Sequence, residues 1–234
     1  TDAETLKTSL SLGEIDAMAK ADDASGLTFE IIYLAGANTD AVNYDYLAYY
    51  KAGVADAAGV ADVAALDAII ADANTAGDLA EAASALTAIN DMAVNSDASE
   101  LTKAQLEAAG TVNLSFTPEH FEAYRAGIEA ESGIADLASL QVVVDAANIQ
   151  VAIDRIVSFA DAGDASELTN DLLVAAGVDP ASIVPGNIEQ YKAAIANATG
   201  AEVDDTAELQ AIVETVNEEV TADAVAAIQQ MATD

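Results

Sequence analysis

The sequence predicts an all-α protein made of three tandem helical repeat units of about 70 residues, stacked end to end. Three observations carry that expectation: a residue set that recurs three times, apolar residues at helical intervals, and an Ala-rich composition poor in aromatics. Leu27-Thr28, Gly36, Tyr50-Lys51, Gly59, Leu66 and Asn74 return as Leu101-Thr102, Gly110, Tyr124-Arg125, Gly133, Leu140 and Asn148. They return again as Leu168-Thr169, Gly177, Tyr191-Lys192, Gly200, Leu209 and Asn217. The step from Leu to Gly is 9 residues in every copy, from Gly to Tyr 14, and from Tyr to the next Gly 9. Matched residue types at matched spacing define tandem repeats, whose small units gain by stacking on their neighbours.

Apolar residues make up 53% of the 234, yet the chain has no Trp and only 4 Phe. The expected core is therefore thin and lined by Ala, with closely approaching helices. Lys and Arg total 7 against 41 Asp and Glu, a formal charge of −34. A field of that sign repels nucleic acid and anionic membrane, which argues against both as partners. With this much Ala, Val, Leu and Ile, the charge reads as a solvated coat on folded helices rather than as disorder. Acidic, Lys-poor surfaces also fit salty surroundings. The absence of Cys excludes disulfides and thiolate metal sites. No apolar run approaches the ~20 residues of a spanning helix, so no membrane insertion is expected. No signal peptide precedes Thr1, which reads as a processed start or the edge of a longer chain.

In chain order, residues 1–22 read as the closing helix of a preceding, partial unit. The full units follow as 23–96, the tyrosine-rich one, then 97–163 and 164–234. Leu12 and Ile15 have counterparts in Leu86 and Ile89 and in Ile153 and Ile156. Each pair is followed at the same distance by Asp-Ala-Ser, at Asp23 to Ser25, Asp97 to Ser99 and Asp164 to Ser166. The last helix, with Val225 and Ile228, stops at the corresponding point, as if cut from or ready to join a longer array.

Each unit then opens on a short helix. Thr28, Thr102 and Thr169 are N-cap residues, and the preceding Leu27, Leu101 and Leu168 can staple onto Ile32, Leu106 and Leu173. Gln105 adds a capping box in the second copy only, and Gly36, Gly110 and Gly177 supply the left-handed residue that ends the helix. A variable loop follows at 38–43, 111–118 and 178–186, with Thr117-Pro118 as N-cap and N1 of the next helix. That helix is expected to bury Leu47, Tyr50 and Val54, then Phe121, Tyr124 and Ile128, then Ile188, Tyr191 and Ile195, and to stop at Gly59, Gly133 and Gly200. The helix after it carries Val63, Leu66 and Ile70, then Leu137, Leu140 and Val144, then Leu209 and Val213. It runs to Asn74, Asn148 and Asn217, and two extra residues within 201–206 lengthen the turn before it in the third copy. The repeat core is thus Leu27, Tyr50, Leu66, Leu101, Tyr124, Leu140, Leu168, Tyr191 and Leu209. Between Asn74 and Ile89 the first unit spends 15 residues where the second spends 8. The difference is near two helical turns, so a continuous helix would keep its apolar face, while Gly77 admits a break.

Few residues carry chemistry. Lys51, Arg125 and Lys192 use 3 of the 7 cations; they are expected to bridge carboxylates on an adjacent helix or unit, or else to be a repeated contact point for an acidic partner or glycan. Tyr33, Tyr44, Tyr46 and Tyr49 gather in the first unit beside Tyr50. They read either as packing beneath the 38–43 loop or as an aromatic platform for a sugar or partner. His120 is the only His, and Ser115 beside it lacks the orienting group and oxyanion site of a nucleophilic centre. No catalytic residue and no specific metal site is expected. The carboxylates Asp22-Asp23, Asp161, Asp164 with Glu167, and Asp204-Asp205 suit weak Ca²⁺ association, but no calcium-loop motif organises them. No phosphate-binding glycine loop is present either.

The stretches LTKAQLEAAG (101–110), YRAGIEAESGIADLASLQVVVDAAN (124–148) and YKAAIANATGAEVDDTAELQAIVETVN (191–217) resemble the Ala- and Asp-rich helical repeats of very large adhesin-like surface proteins in marine Gram-negative bacteria. The resemblance covers nearly the whole chain from Ile15 onward. It implies an extracellular, surface-exposed region used for adhesion, spacing or assembly, with no catalytic motif to carry over. The tyrosine-rich first unit departs from the pattern. The expected function is non-enzymatic: a filament or layer subunit, or an adhesin stalk segment, that associates with itself end to end. The alternative is a glycan- or protein-binding module that uses the tyrosine cluster.

Overall fold

A threonine hydroxyl starts each short helix and a left-handed glycine ends it. In the computed structural model, which describes residues 3–232, Thr28, Thr102 and Thr169 accept the N–H of Ile31, Gln105 and Leu172. The helices they open are α2 (Phe29–Leu34), α5 (Lys103–Ala108) and α8 (Asn170–Ala175). Gln105 completes a capping box in α5. Gly36, Gly110 and Gly177 follow at φ 82°, 88° and 88°. Their N–H groups reach Tyr33, Glu107 and Val174, while those of Ala37, Thr111 and Val178 reach Ile32, Leu106 and Leu173. This paired bonding is the Schellman closure that a left-handed residue permits.

The remaining helices are α1 (Ala3–Lys20), α3 (Leu47–Asp56), α4 (Val63–Asn95), α6 (Pro118–Ala130), α7 (Leu137–Ala162), α9 (Ile188–Asn197) and α10 (Thr206–Met231). The described residues contain no strand, and the chain is all-α. It divides into two compact units, Thr1–Ala85 and Leu86–Asp234. In the first, α1 packs on α2 and α3, and Ile15, Leu27, Ile32, Tyr50, Leu66 and Ile70 share one core. In the second, α7 packs on α6, α8 and α9; Ile156, Leu168, Tyr191, Leu209 and Val213 belong to one core. All nine expected repeat-core residues are buried, with Ala24, Ala98 and Ala165 filling the tight positions beside them.

Several expectations change in detail. Helix α4 has no break at Gly77: it is a single helix of 33 residues, against 26 in each of α7 and α10. A Cβ at Gly77 would stand 2.6 Å from the Tyr46 ring, so this glycine makes room for an aromatic side chain rather than for a bend. The glycines after the tyrosine helices do not end them either. Helices α3, α6 and α9 stop at Asp56, Ala130 and Asn197, where the next residue turns extended. Gly59 and Gly133 lie in the turns beyond, at φ 157° and 156°. Gly200 instead starts a 3₁₀ turn, Gly200–Glu202, capped by Thr199. The two extra residues of the third copy go into that turn, and Val203 becomes the buried residue where Val60 and Ile134 serve in the others. Leu47, Phe121 and Ile188 are half-buried rather than core, and Leu137 is exposed.

Candidate functional site

The most repeated polar feature is a buried tyrosine that ties a loop to a long helix. Tyr50, Tyr124 and Tyr191 lie in the core with their hydroxyls at its edge. Each hydroxyl donates to an asparagine Oδ1: Asn74 at 2.5 Å, Asn148 at 2.7 Å and Asn217 at 2.6 Å. Each also accepts a loop N–H, from Asn43, Ser115 and Val184. The asparagine amide completes the ring by donating to a loop carbonyl, of Ala41, Asn113 and Ser182. Burial raises the Tyr50 pKa, and the Asn43 N–H partly offsets it. The loop groups lie at the edge of the core, half-buried or exposed, and each such hydrogen bond contributes about 0.5–1.5 kcal/mol net. The asparagines do not end a helix as expected: α4, α7 and α10 run through Asn74, Asn148 and Asn217 without interruption.

A second set of bonds recurs beside it. Asp67, Gln141 and Gln210 accept the loop N–H groups of Asn38, Val112 and Asp179. Asp62, Asp136 and Asp205 cap the long helices. In the Asp-Ala-Ser turns, Asp23, Asp97 and Asp164 accept the N–H of Ser25, Ser99 and Ser166. The serine N–H and hydroxyl hold Asp23 and Asp164 below the usual carboxylate range, and for Asp97 the hydroxyl leads. Asp16 is lowered by Lys20 and by the Val60 N–H that it accepts.

Lys51, Arg125 and Lys192 do not bridge to carboxylates of another helix. Lys51 donates to the Ser25 carbonyl, and Arg125 to the Ser99 carbonyl and to Glu122 of its own helix. Lys192 pairs with Glu189 on its own helix. Their work is to hold the Asp-Ala-Ser turn in the first two copies, and in the third Arg155 reaches Glu167 of that turn instead. His120 packs its Nδ1 on the hydroxyl of the N-cap Thr117, at 2.8 Å.

The four tyrosines singled out in the first unit fall into two groups. Tyr46 is 3% exposed. Its hydroxyl donates to Asp78, which, with burial, raises its pKa, and its ring meets Tyr49 edge-on at 5.6 Å. Tyr49 also lines an open groove of about 440 Å³ between α3 and α4, with Gly53, Asp56, Ile69 and Asp72. Tyr44 is 74% exposed and meets the Phe29 ring at a 54° tilt, centroids 4.8 Å apart, and Tyr33, one helical turn after Phe29, is 65% exposed. The surface-facing aromatics are thus Tyr33 and Tyr44, while Phe29, which Tyr44 covers, is half-buried against the core.

Asp204, Asp205 and Glu208 bring carboxylate oxygens within 4.8 Å of one another. Their hydrogen bonds already account for that approach: Asp205 caps the Glu208 N–H and Glu208 accepts from the Asp204 N–H. No family model, curated protein or solved structure matches the chain.

Proposed function

We propose that the chain is a non-enzymatic structural protein of a bacterial surface, built from three tandem units and associating with itself end to end as a filament or layer subunit or a stalk segment. The threefold recurrence of the Tyr–Asn–loop ring carries this reading. Three copies of one locked scaffold, each differing on its outer loops, suit a spacer or assembly element. The charge of −34 suits it as well, because the copies stay soluble at low salt and approach once the repulsion is screened. The resemblance to adhesin-like repeats of large surface proteins points the same way and favours a location outside the cell. Negative-stain imaging across NaCl and CaCl₂ concentrations tests it. Polymers or sheets are expected as salt rises; isolated particles in every condition would overturn the self-association.

The exposed aromatic group favours a second reading, a glycan- or protein-binding surface on the first unit. Tyr33 and Tyr44, the latter resting on the half-buried Phe29, offer flat apolar faces beside the polar Asn38 to Asp45 loop. Glycan-array signal that disappears in a Tyr33→Ala/Tyr44→Ala variant is the expected result. Signal unchanged in that variant would remove this reading.

A further inference from the structure

We propose that the end of α10 is a donor helix for a second copy of this chain, seated on the bed that α2 and α3 give to α1. The inference deepens the self-association reading and rests on it. Its basis is what happens to one position four times along the chain. Ile15 of α1, Ile89 of α4 and Ile156 of α7 are each 0% exposed, whereas Val225, at the same place in α10, is 48% exposed. One turn further on, Met18, Met92 and Phe159 correspond to Ile228, which is 61% exposed.

The chain itself shows what covers this face when it is covered. Ile15 shares its core with Leu27, Ile32 and Val60, and Ile156 shares its core with the equivalent Leu168, Leu173 and Val203. The bed is a short capped helix, the turn before it, and the residue after the tyrosine helix. A second copy carries that bed in its first unit. The charge pattern agrees: in a chain of −34, Thr221–Met231 holds a single charged side chain, Asp223. Such a stretch meets an acidic partner with little added repulsion.

The bed in question is already filled by α1, so the two helices compete. Helix α1 is held by three buried residues, Ser11, Ile15 and Ala19, and by the Asp16 carboxylate, which accepts the Val60 N–H. Ala226 stands at the Asp16 position in α10 and makes no such bond. Exchange therefore leaves the acceptor's α1 free and the acceptor's own α10 available to a third copy. That contact is heterologous and does not close on itself, which gives open chains rather than rings.

The absence of native Cys makes the contact directly testable. Two single-cysteine chains, Gly26→Cys and Ile228→Cys, are mixed at high salt and treated with a short bismaleimide. A Cβ at Gly26 stands 3.3 Å from the Met18 methyl, and Glu100 and Glu167 occupy the equivalent position, so a side chain there is tolerated. The expected result is several-fold more covalent dimer in the mixture than in either chain alone, with the excess lost when Val225→Asp is added to the donor. Asp16→Ala in the acceptor weakens α1 alone and should raise the yield. A yield no higher in the mixture, or one that neither substitution moves, would overturn the proposal. If the untreated wild type still polymerises, only the donor contact is wrong; if it stays monomeric in the same buffer, self-association fails with it.

Discussion

At the scale of the residue, the three Tyr–Asn rings are the best place to test whether polar closure or apolar burial holds the units. Leu140→Ala, at a fully buried site, is expected to cost about 2–5 kcal/mol in chemical denaturation. Asn148→Ala removes the acceptor of the Tyr124 hydroxyl and the donor to the Asn113 carbonyl. It is expected to cost about 1–3 kcal/mol, for two hydrogen bonds at the edge of the core worth about 0.5–1.5 kcal/mol each. A change of a few tenths would mean that water replaces the asparagine at no penalty. The Asp-Ala-Ser turns make a prediction about pH. Asp23, Asp97 and Asp164 have folded pKa values below the unfolded value of about 3.9. Their contribution is therefore present above that value and is lost as the pH falls through it and below. In about 0.5 M salt, which screens the general repulsion, wild type should be more stable than the Asp→Asn triple variant at pH 7. The gap should close as the solution is acidified past pH ~4. A gap independent of pH would assign the effect to hydrogen bonding without charge.

At the scale of the element, the long helices hold the informative exceptions. Gly77→Ala would raise intrinsic helix propensity by up to about 1 kcal/mol. However, the new Cβ meets the body of the Tyr46 ring at 2.6 Å, and a ring anchored to Asp78 cannot step aside cheaply. A lower melting temperature is expected, and a higher one would show that Tyr46 repacks freely. Ser96→Gly should do the opposite. Asp22, Ser96 and Gly163 occupy equivalent left-handed positions at φ 53°, 52° and 64°, and only the third copy uses glycine there. Relieving Ser96 is expected to stabilise by roughly 0.5–1 kcal/mol, readable as a shift in denaturation midpoint. These positions also explain what the sequence does and does not reveal. Caps, staples and the nine core residues are legible because each uses a residue type suited to one local geometry. The αL roles of Asp22 and Ser96 are not, because polar residues adopt that conformation without a recognisable signature. Gly77 and Gly200 mislead for a related reason. Glycine signals special geometry but does not say whether that is a left-handed turn, a ring contact or a close approach to Asp161.

At the scale of the whole molecule, the sequence conveys the helical class and the spacing at which the Tyr–Asn hydrogen bonds recur. It does not separate exposed tyrosines from buried ones. Tyr46 and Tyr44 are two residues apart, yet one is buried with its hydroxyl on the exposed Asp78 while the other lies at the surface, tilted against Phe29. Spacing within a 3₁₀ turn, Tyr44–Tyr46, has no apolar stripe from which that split can be read. The proposed assembly depends on balance between a charge of −34 per chain and the uncovered apolar face around Val225 and Ile228. Repulsion between copies weakens as the Debye length shortens from about 10 Å at 0.1 M salt to about 3 Å at 1 M, while apolar burial does not. Association should therefore strengthen with salt, the reverse of an interface held by ion pairs. Sedimentation velocity of the full chain over a concentration series at low and high NaCl measures this most directly. The account predicts monomer at low salt and concentration-dependent, open-ended polymers at high salt. A single monomeric boundary at every concentration and salt would contradict it.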